Sequence, residues 1–535
     1  MARPTPVEHT VISGTTANAH PRGGYRTAPL ARAAVASMLA CTLAFLPSSA
    51  GFAESADSYY AQLKKQTDAK DFKSALDTSL RAMKEYPAQE GFHIYAIWSY
   101  RETGDLTAGI EFGKRALSKF PDSKAVRENL SYVYAREAAR ICDEKLAADP
   151  LPVAQEGLRL HRNGTTLLWY GICLRRNGRL EEARDVFTEG KSAYPDIPYY
   201  RLNLVHTLVE MAQQEKDPAK SDGLILKAYR EDPENEGALI WYGISLRRHK
   251  RFDEAIVLFV QGMKRFPGNR YFGENARWAY TEWTSKLTDA GDVDRARKLL
   301  EEAGKLLPND PFIISSLAYT WFRRDQARWE QLCREAVSLV PPERLKALNS
   351  YQVPLQSGRI MIHQGNMEPV THMGIGAGYG FDLVRVDEDN RYGAGWHKKE
   401  DHLVFGEQVH AALDGKVVEV YDASPDTEPD KNQPYDVNYI RIEHDGGESS
   451  YYMHLKRGSA VVAVGTPVKK GQMIARVGSS GRFADFPHLH FQVMRDNICV
   501  EIKFTGAALV SGDAGSSRPG PFTPKKRDIM KSVWK

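Results

Sequence analysis

A chain of 535 residues is too long to fold around one hydrophobic core, so two or more domains are expected. Its 42% hydrophobic and 26% charged residues are those of ordinary soluble globular protein. The 72 basic and 68 acidic residues are intermixed and leave a net charge of +4, which gives no reason to expect nucleic acid as a partner.

In residues 1–53, Arg22, Arg26 and Arg32 precede an apolar run from Ala33 to Leu46, and small residues follow around Ala50 and Ala53. Positive residues, a short apolar stretch and small residues at the exit are the parts of a secretory signal peptide; an uncleaved N-terminal anchor is the alternative. The run is shorter than the ~20 apolar residues a permanent membrane helix needs. The expectation is export, cleavage after Ala50 or Ala53, and no membrane span thereafter. Of the five cysteines, Cys41 lies in this segment. Cys142, Cys173, Cys333 and Cys499 form no CxxC pair, so neither a thiolate zinc site nor a redox motif is expected.

Residues 54–345 repeat. Leu168-Trp-Tyr-Gly-Ile-Cys-Leu-Arg-Arg176 returns as Ile240-Trp-Tyr-Gly-Ile-Ser-Leu-Arg-Arg248, 72 positions later. An alanine precedes a proline by twelve positions at Ala75/Pro87, Ala183/Pro195, Ala255/Pro267 and Ala296/Pro308. Small residues such as Gly171 and Gly243 let two helices approach closely, and proline ends the second helix because it lacks an amide hydrogen. Prolines 33 or 34 apart match the length of a helix-turn-helix unit. The segment resembles the tetratricopeptide repeat, which implies an α-helical superhelix that binds proteins or extended peptides. Arg175, Arg176, Arg247 and Arg248 read either as a carboxylate-gripping groove or as a solvated basic face.

After Pro341-Pro342 the composition shifts: nine of the fifteen histidines fall at or after His363. Residues 346–354 read as a linker, and helical periodicity gives way to short alternating runs. Val409 to Val420 reads as a hairpin turning at Asp414-Gly415, and Tyr439–His444 turns through Asp445-Gly446-Gly447 into Ser450–His454. In Pro487-His488-Leu489-His490-Phe491-Gln492-Val493, strand alternation puts both histidines on one face and Leu489, Phe491 and Val493 on the core side. His454 is expected on one face with Tyr452. His372 and Asp382 flank a glycine-rich loop, ten positions apart. Imidazoles and a carboxylate are a suitable ligand set for a divalent cation such as Zn²⁺.

The ordered set Thr371-His-Met-Gly…Phe381-Asp-Leu, Tyr451-Tyr-Met-His-Leu455, Val464-Gly-Thr-Pro-Val-Lys-Lys-Gly-Gln472 and Val477-Gly-Ser-Ser-Gly…Pro487-His-Leu-His-Phe491 resembles the lysostaphin/LytM-type zinc endopeptidases over residues 355–505. The resemblance implies a mostly antiparallel β domain, with His372, Asp382 and His490 holding one Zn²⁺ and His454 and His488 as the catalytic pair. It also implies hydrolysis of peptide bonds in peptidoglycan stems or cross-links, in the periplasm or cell envelope of a bacterium. The helical array would then bind envelope or division proteins. The alternative is a non-catalytic LytM-like regulator or scaffold that binds the wall and activates other hydrolases. The usual pattern of this family spaces the first histidine and the aspartate more closely, which leaves His363 as a competing first ligand. Residues 385–402 look like an insertion, either a solvated loop or a lid, and the tail 506–535 reads as basic and flexible.

Overall fold

The computed structural model describes residues 54–144, 148–356, 358–365, 367–368, 372–429, 436–510, 517–519 and 521–532. The segment read as a secretory signal, with Cys41, lies outside the described residues. Among the described residues no helix is long and apolar enough to cross a membrane. Two compact units divide at Phe272/Gly273, within the helix Arg270–Asp289.

The first unit consists of helices joined by short turns, and the repeated segments explain its packing. Helix Gly164–Arg176 is followed by Leu180–Ala193, and helix Glu236–Arg248 by Phe252–Arg265. A Cβ at Gly171 would stand 2.6 Å from the Phe187 ring, and one at Gly243 would stand 2.4 Å from the Phe259 ring. Only glycine leaves room for those two phenylalanines, each fully buried. Asn163 and Asn235 cap the first helix of each pair by accepting backbone N–H groups. Tyr194 and Phe266 close the second helices directly before Pro195 and Pro267. Cys142 and Cys173, on helices Lys124–Asp143 and Gly164–Arg176, bring their sulfurs to 3.7 Å.

The second unit opens with helices ending in the pair Pro311–Trp321 and Gln326–Ser338. Its first strands are β1 (Lys346–Gln352), β2 (Arg359–Gly365), β3 (Phe381–Val386), β4 (Gln408–His410) and β5 (Gly415–Tyr421). β6 (Tyr439–Glu443) and β7 (Glu448–Met453) make the expected hairpin, with Gly446 and Gly447 both at positive φ. There follow β8 (Pro467–Val468), β9 (Met473–Arg476), β10 (Leu489–Arg495), β11 (Ile498–Cys499) and β12 (Glu501–Thr505). The last are β13 (Ala507–Val510), β14 (Ser517–Pro519) and β15 (Ile529–Ser532). The main sheet runs β14-β13-β15-β2-β3-β10-β7-β6-β5-β8, and its neighbours pair antiparallel. Its core is built from alternate residues such as Ile440, Ile442, Tyr452, Leu489, Phe491 and Val493.

Three expectations are corrected. The linker 346–354 contains β1, which pairs in parallel with β12 and is pinned by the buried Glu448 carboxylate. That carboxylate accepts from Leu348 N–H, the Asn349 amide and the Tyr351 hydroxyl. The tail 506–535 is not simply flexible: β13 and β15 continue the main sheet beyond β2, because Met530 reaches the core and is fully buried. The compact units divide at Phe272/Gly273, and apolar residues of the last helices bury against the β region. The Asp414-Gly415 turn joins no hairpin, since β4 pairs with β9 whereas β5 pairs with β6 and β8.

Candidate metal and catalytic site

Three neighbouring strands supply the site. β3 and β10 lie in a register that sets Asp382 opposite His490, and β7 flanks β10 on its other side. Alternation along β10 buries Leu489, Phe491 and Val493 completely in the core and leaves His490 on the opposite face, with His488 just before the strand. His454 follows the last residue of β7 with φ +62°, a backbone conformation uncommon for a non-glycine residue. That turn breaks the alternation, so Tyr452 and His454 do not share a face as expected. Tyr452 stays in the core, its hydroxyl accepting the Ala412 N–H at 2.7 Å. His454 turns toward His488, with ring centroids 4.6 Å apart.

The five residues singled out in the sequence meet in one place. Oδ1 of Asp382 lies 3.0 Å from Nδ1 of His490, 3.3 Å from Nε2 of His372 and 3.4 Å from Nε2 of His488. The rings of His372 and His490 stack, with Nε2 and Nδ1 3.0 Å apart. One ligand atom each from His372, Asp382 and His490 lies within 4.8 Å of the other two. All five residues are buried.

Hydrogen bonds from outside set the imidazole tautomers. A carbonyl oxygen can only accept, so Nδ1–H of His488 donates to Phe486 at 2.8 Å and Nδ1–H of His454 donates to Ser480 at 2.9 Å. Nε2–H of His490 donates to Oε1 of Gln492 at 3.0 Å. The inward nitrogens of His490 and His488 therefore present lone pairs toward a carboxylate oxygen, an arrangement that repels itself unless a cation lies among them. Two imidazoles and one carboxylate fit Zn²⁺, and an outer acceptor on the ligating imidazole is the usual support. Nδ1 of the fully buried His372 has no hydrogen-bond partner among the described residues.

Burial works against charge on Asp382, but the adjacent His372 and His488, with the hydrogen bond to His372, hold its carboxyl well below the usual carboxylate range. Burial lowers His372, and it drives His454 well below the ordinary imidazole value with the help of neighbouring His488 and His490. Both imidazoles are thus neutral at pH 7.

His363, the competing ligand, makes other contacts: its Nδ1 is 3.0 Å from the Tyr392 hydroxyl and its ring packs edge-on against Phe486. From the segment 385–402 read as an insertion, whose first two residues belong to β3, Tyr392, Trp396 and His402 pack around Phe486, whose ring centroid is 5.3 Å from that of His488. Gln492 was missed from the sequence, although it shares the face of His490 two residues on and that alternation could have revealed it.

Residues 400–502 match peptidase family M23, and residues 151–198 match the tetratricopeptide repeat. The M23 match contains His454, His488 and His490; His372 and Asp382 precede it. The chain is 38% identical over 93 residues to peptidoglycan DD-endopeptidase ShyB of Vibrio cholerae serotype O1, covering 17% of this chain and 19% of that protein. It is 33% identical over 92 residues to peptidoglycan DD-endopeptidase ShyA of the same organism, covering 17% of this chain and 18% of that one. The chain thus spans about a fifth of the length of the curated relatives it matches. Among solved structures it is similar to a zinc-containing peptidase from Vibrio cholerae, at 27% identity over 29% of this chain and 37% of that chain, with a TM-score of 0.17. It is also similar to YrrB, a tetratricopeptide repeat protein with an unusual peptide-binding site, at 20% identity over 35% of this chain and 91% of that chain, with a TM-score of 0.27. The chain therefore carries a peptidase family M23 domain at residues 400–502, behind a helical region that contains a tetratricopeptide repeat.

Proposed function

We propose that this protein is a zinc-dependent endopeptidase that hydrolyses peptide bonds in peptidoglycan stem peptides or cross-links, in the bacterial envelope. The helical array would localise it by binding envelope or division proteins. The observation that carries this reading is the convergence of three imidazole nitrogens on one buried carboxylate oxygen, with two of the imidazoles tied down from outside. The kinship of the M23 domain to named peptidoglycan endopeptidases points to the substrate class.

In this reading His372, Asp382 and His490 hold the ion. Zn²⁺ bound there supplies Lewis acidity toward a scissile carbonyl. His454 and His488 are the catalytic pair. Each uses Nδ1–H on a backbone carbonyl, so each offers an unprotonated Nε2 to the site. Such a nitrogen can take a proton from an attacking water and, once charged, donate to the oxygen of the tetrahedral intermediate or return the proton to the leaving amine. The lowered affinity of buried His454 for a proton keeps it in the accepting form at neutral pH.

The test is metal analysis together with digestion of purified sacculi. Wild type is expected to carry about one zinc per chain and to release soluble muropeptides, and His490→Ala to lose both. Undiminished digestion by the variant would overturn the site assignment.

A further inference from the structure

We infer that the last helical pair, Pro311–Trp321 and Gln326–Ser338, serves as a clamp that positions His372, with Met373 and Cys333 as positioning residues. The inference rests on the reading of His372 as a metal ligand.

The need for a clamp is written in the loop itself. Between His372 and Asp382 stand Gly374, Gly376, Gly378 and Gly380. Glycine loses more conformational freedom on ordering than any other residue, so this loop by itself holds its first residue poorly. His490 and Asp382 are fixed by the sheet register, whereas His372 belongs to no strand. Something outside the sheet must set its position.

The residues that follow His372 are gripped by the helices. Met373 is buried in a cluster with Ala318, Trp329, Leu332 and Cys333. Ile375 is buried with Ala336, Val340 and Ile498, and its carbonyl accepts the Cys499 N–H at 2.6 Å. Gly374, between these two anchors, has φ +77°, and a Cβ there would come within 3.3 Å of the Cys333 sulfur. The loop thus lies against the helix Gln326–Ser338 with its backbone in near contact. The same pair reaches the segment leading to His488: Phe322 packs edge-on against Phe483 at 5.6 Å, and the Arg323 guanidinium lies over that ring. Of the three site residues outside the strands, His454 follows β7 directly, whereas His372 and His488 adjoin segments that pack on this pair. The clamp also accounts for the ten-residue separation of His372 and Asp382, because the extra residues are those that travel out to the helices and back.

The test is the Zn²⁺ dissociation constant of the full-length chain, measured by competition with a chromophoric chelator. Met373→Ala is expected to weaken binding by about 10–100-fold, the range typical of groups that support metal ligands, and Met373→Leu to restore it. Phe187→Ala, which removes an equally buried ring from the first unit, is expected to lower folding stability and leave zinc affinity unchanged. Should Met373→Ala fail to fold, Cys333→Leu carries the test, since its larger side chain presses on Gly374 and is expected to weaken binding likewise. A wild-type constant in the variant of residue 373 or 333 that folds, or an equal loss in Phe187→Ala, would overturn the clamp and leave the metal site standing. A wild-type chain that binds no zinc would overturn the metal site, and the clamp with it.

Discussion

Asp382 on β3 and His490 on β10 are direct partners in antiparallel register, and their side chains meet at 3.0 Å. Two residues 108 positions apart are thus placed by backbone pairing alone. A one-residue slip would send one of them to the core face. The Asp382 carboxylate lies against all three imidazoles of this cluster, so its charge decides whether a cation is held. Asp382→Asn keeps the shape and removes the charge. It is expected to abolish stoichiometric zinc at neutral pH, as read by elemental analysis after dialysis.

Gln492 accepts Nε2–H of His490 and so holds its Nδ1 in the lone-pair form that faces Asp382. Gln492→Ala is expected to weaken Zn²⁺ binding by about 10–100-fold, and Gln492→Glu, which still accepts, to retain it. Equilibrium competition with a chelator measures both. Equal affinity in Gln492→Ala would mean that the ring is oriented by packing alone.

Glu448 is fully buried and satisfies a backbone N–H, the Asn349 amide and the Tyr351 hydroxyl, with Arg495 at 3.7 Å. Glu448→Ala strands all of these donors. A loss of about 3–5 kcal/mol is expected, as for the breaking of other buried charge networks, and denaturant unfolding followed by tryptophan fluorescence measures it.

Gly243 leaves the space that the Phe259 ring occupies. Gly243→Ala is expected to cost about 1–3 kcal/mol through overpacking, with no change in zinc content, because Gly243 and Phe259 both lie in the first compact unit. Thermal unfolding and metal analysis of the same preparation check the two halves of this prediction.

Burial, with His488 nearby, pushes His363 down to about 4 from the ordinary 6.5. The unfolded chain therefore takes up this proton first on acidification. The effect on stability is nil above pH 6.5, grows as pH falls from 6.5 toward 4, and is constant below. In the metal-free protein, His363→Gln is expected to show a shallower loss of denaturation midpoint across that window. Identical slopes for variant and wild type would contradict it.

Much of this molecule is legible in one dimension because local patterns dictate local structure. Paired glycines and prolines at helical spacing mark the repeats, since close helix approach and helix termination each demand a particular residue type. Alternation around His488 and His490 marks the strand face, since successive side chains on a strand must point oppositely. What folding in three dimensions decided is which distant pieces meet. β1 reads as a linker because its anchors, such as the Tyr351 hydroxyl on Glu448 97 positions away, are non-local. The tail gains strands because β2 offers it an edge. His454 leaves the face of Tyr452 because one backbone angle turns positive at the end of β7, and no composition rule signals that turn. His372 acquires its place from helices that sequence periodicity assigns to the array, because buried packing such as that of Met373 in one cluster with Trp329 and Cys333 is non-local and depends on the completed fold.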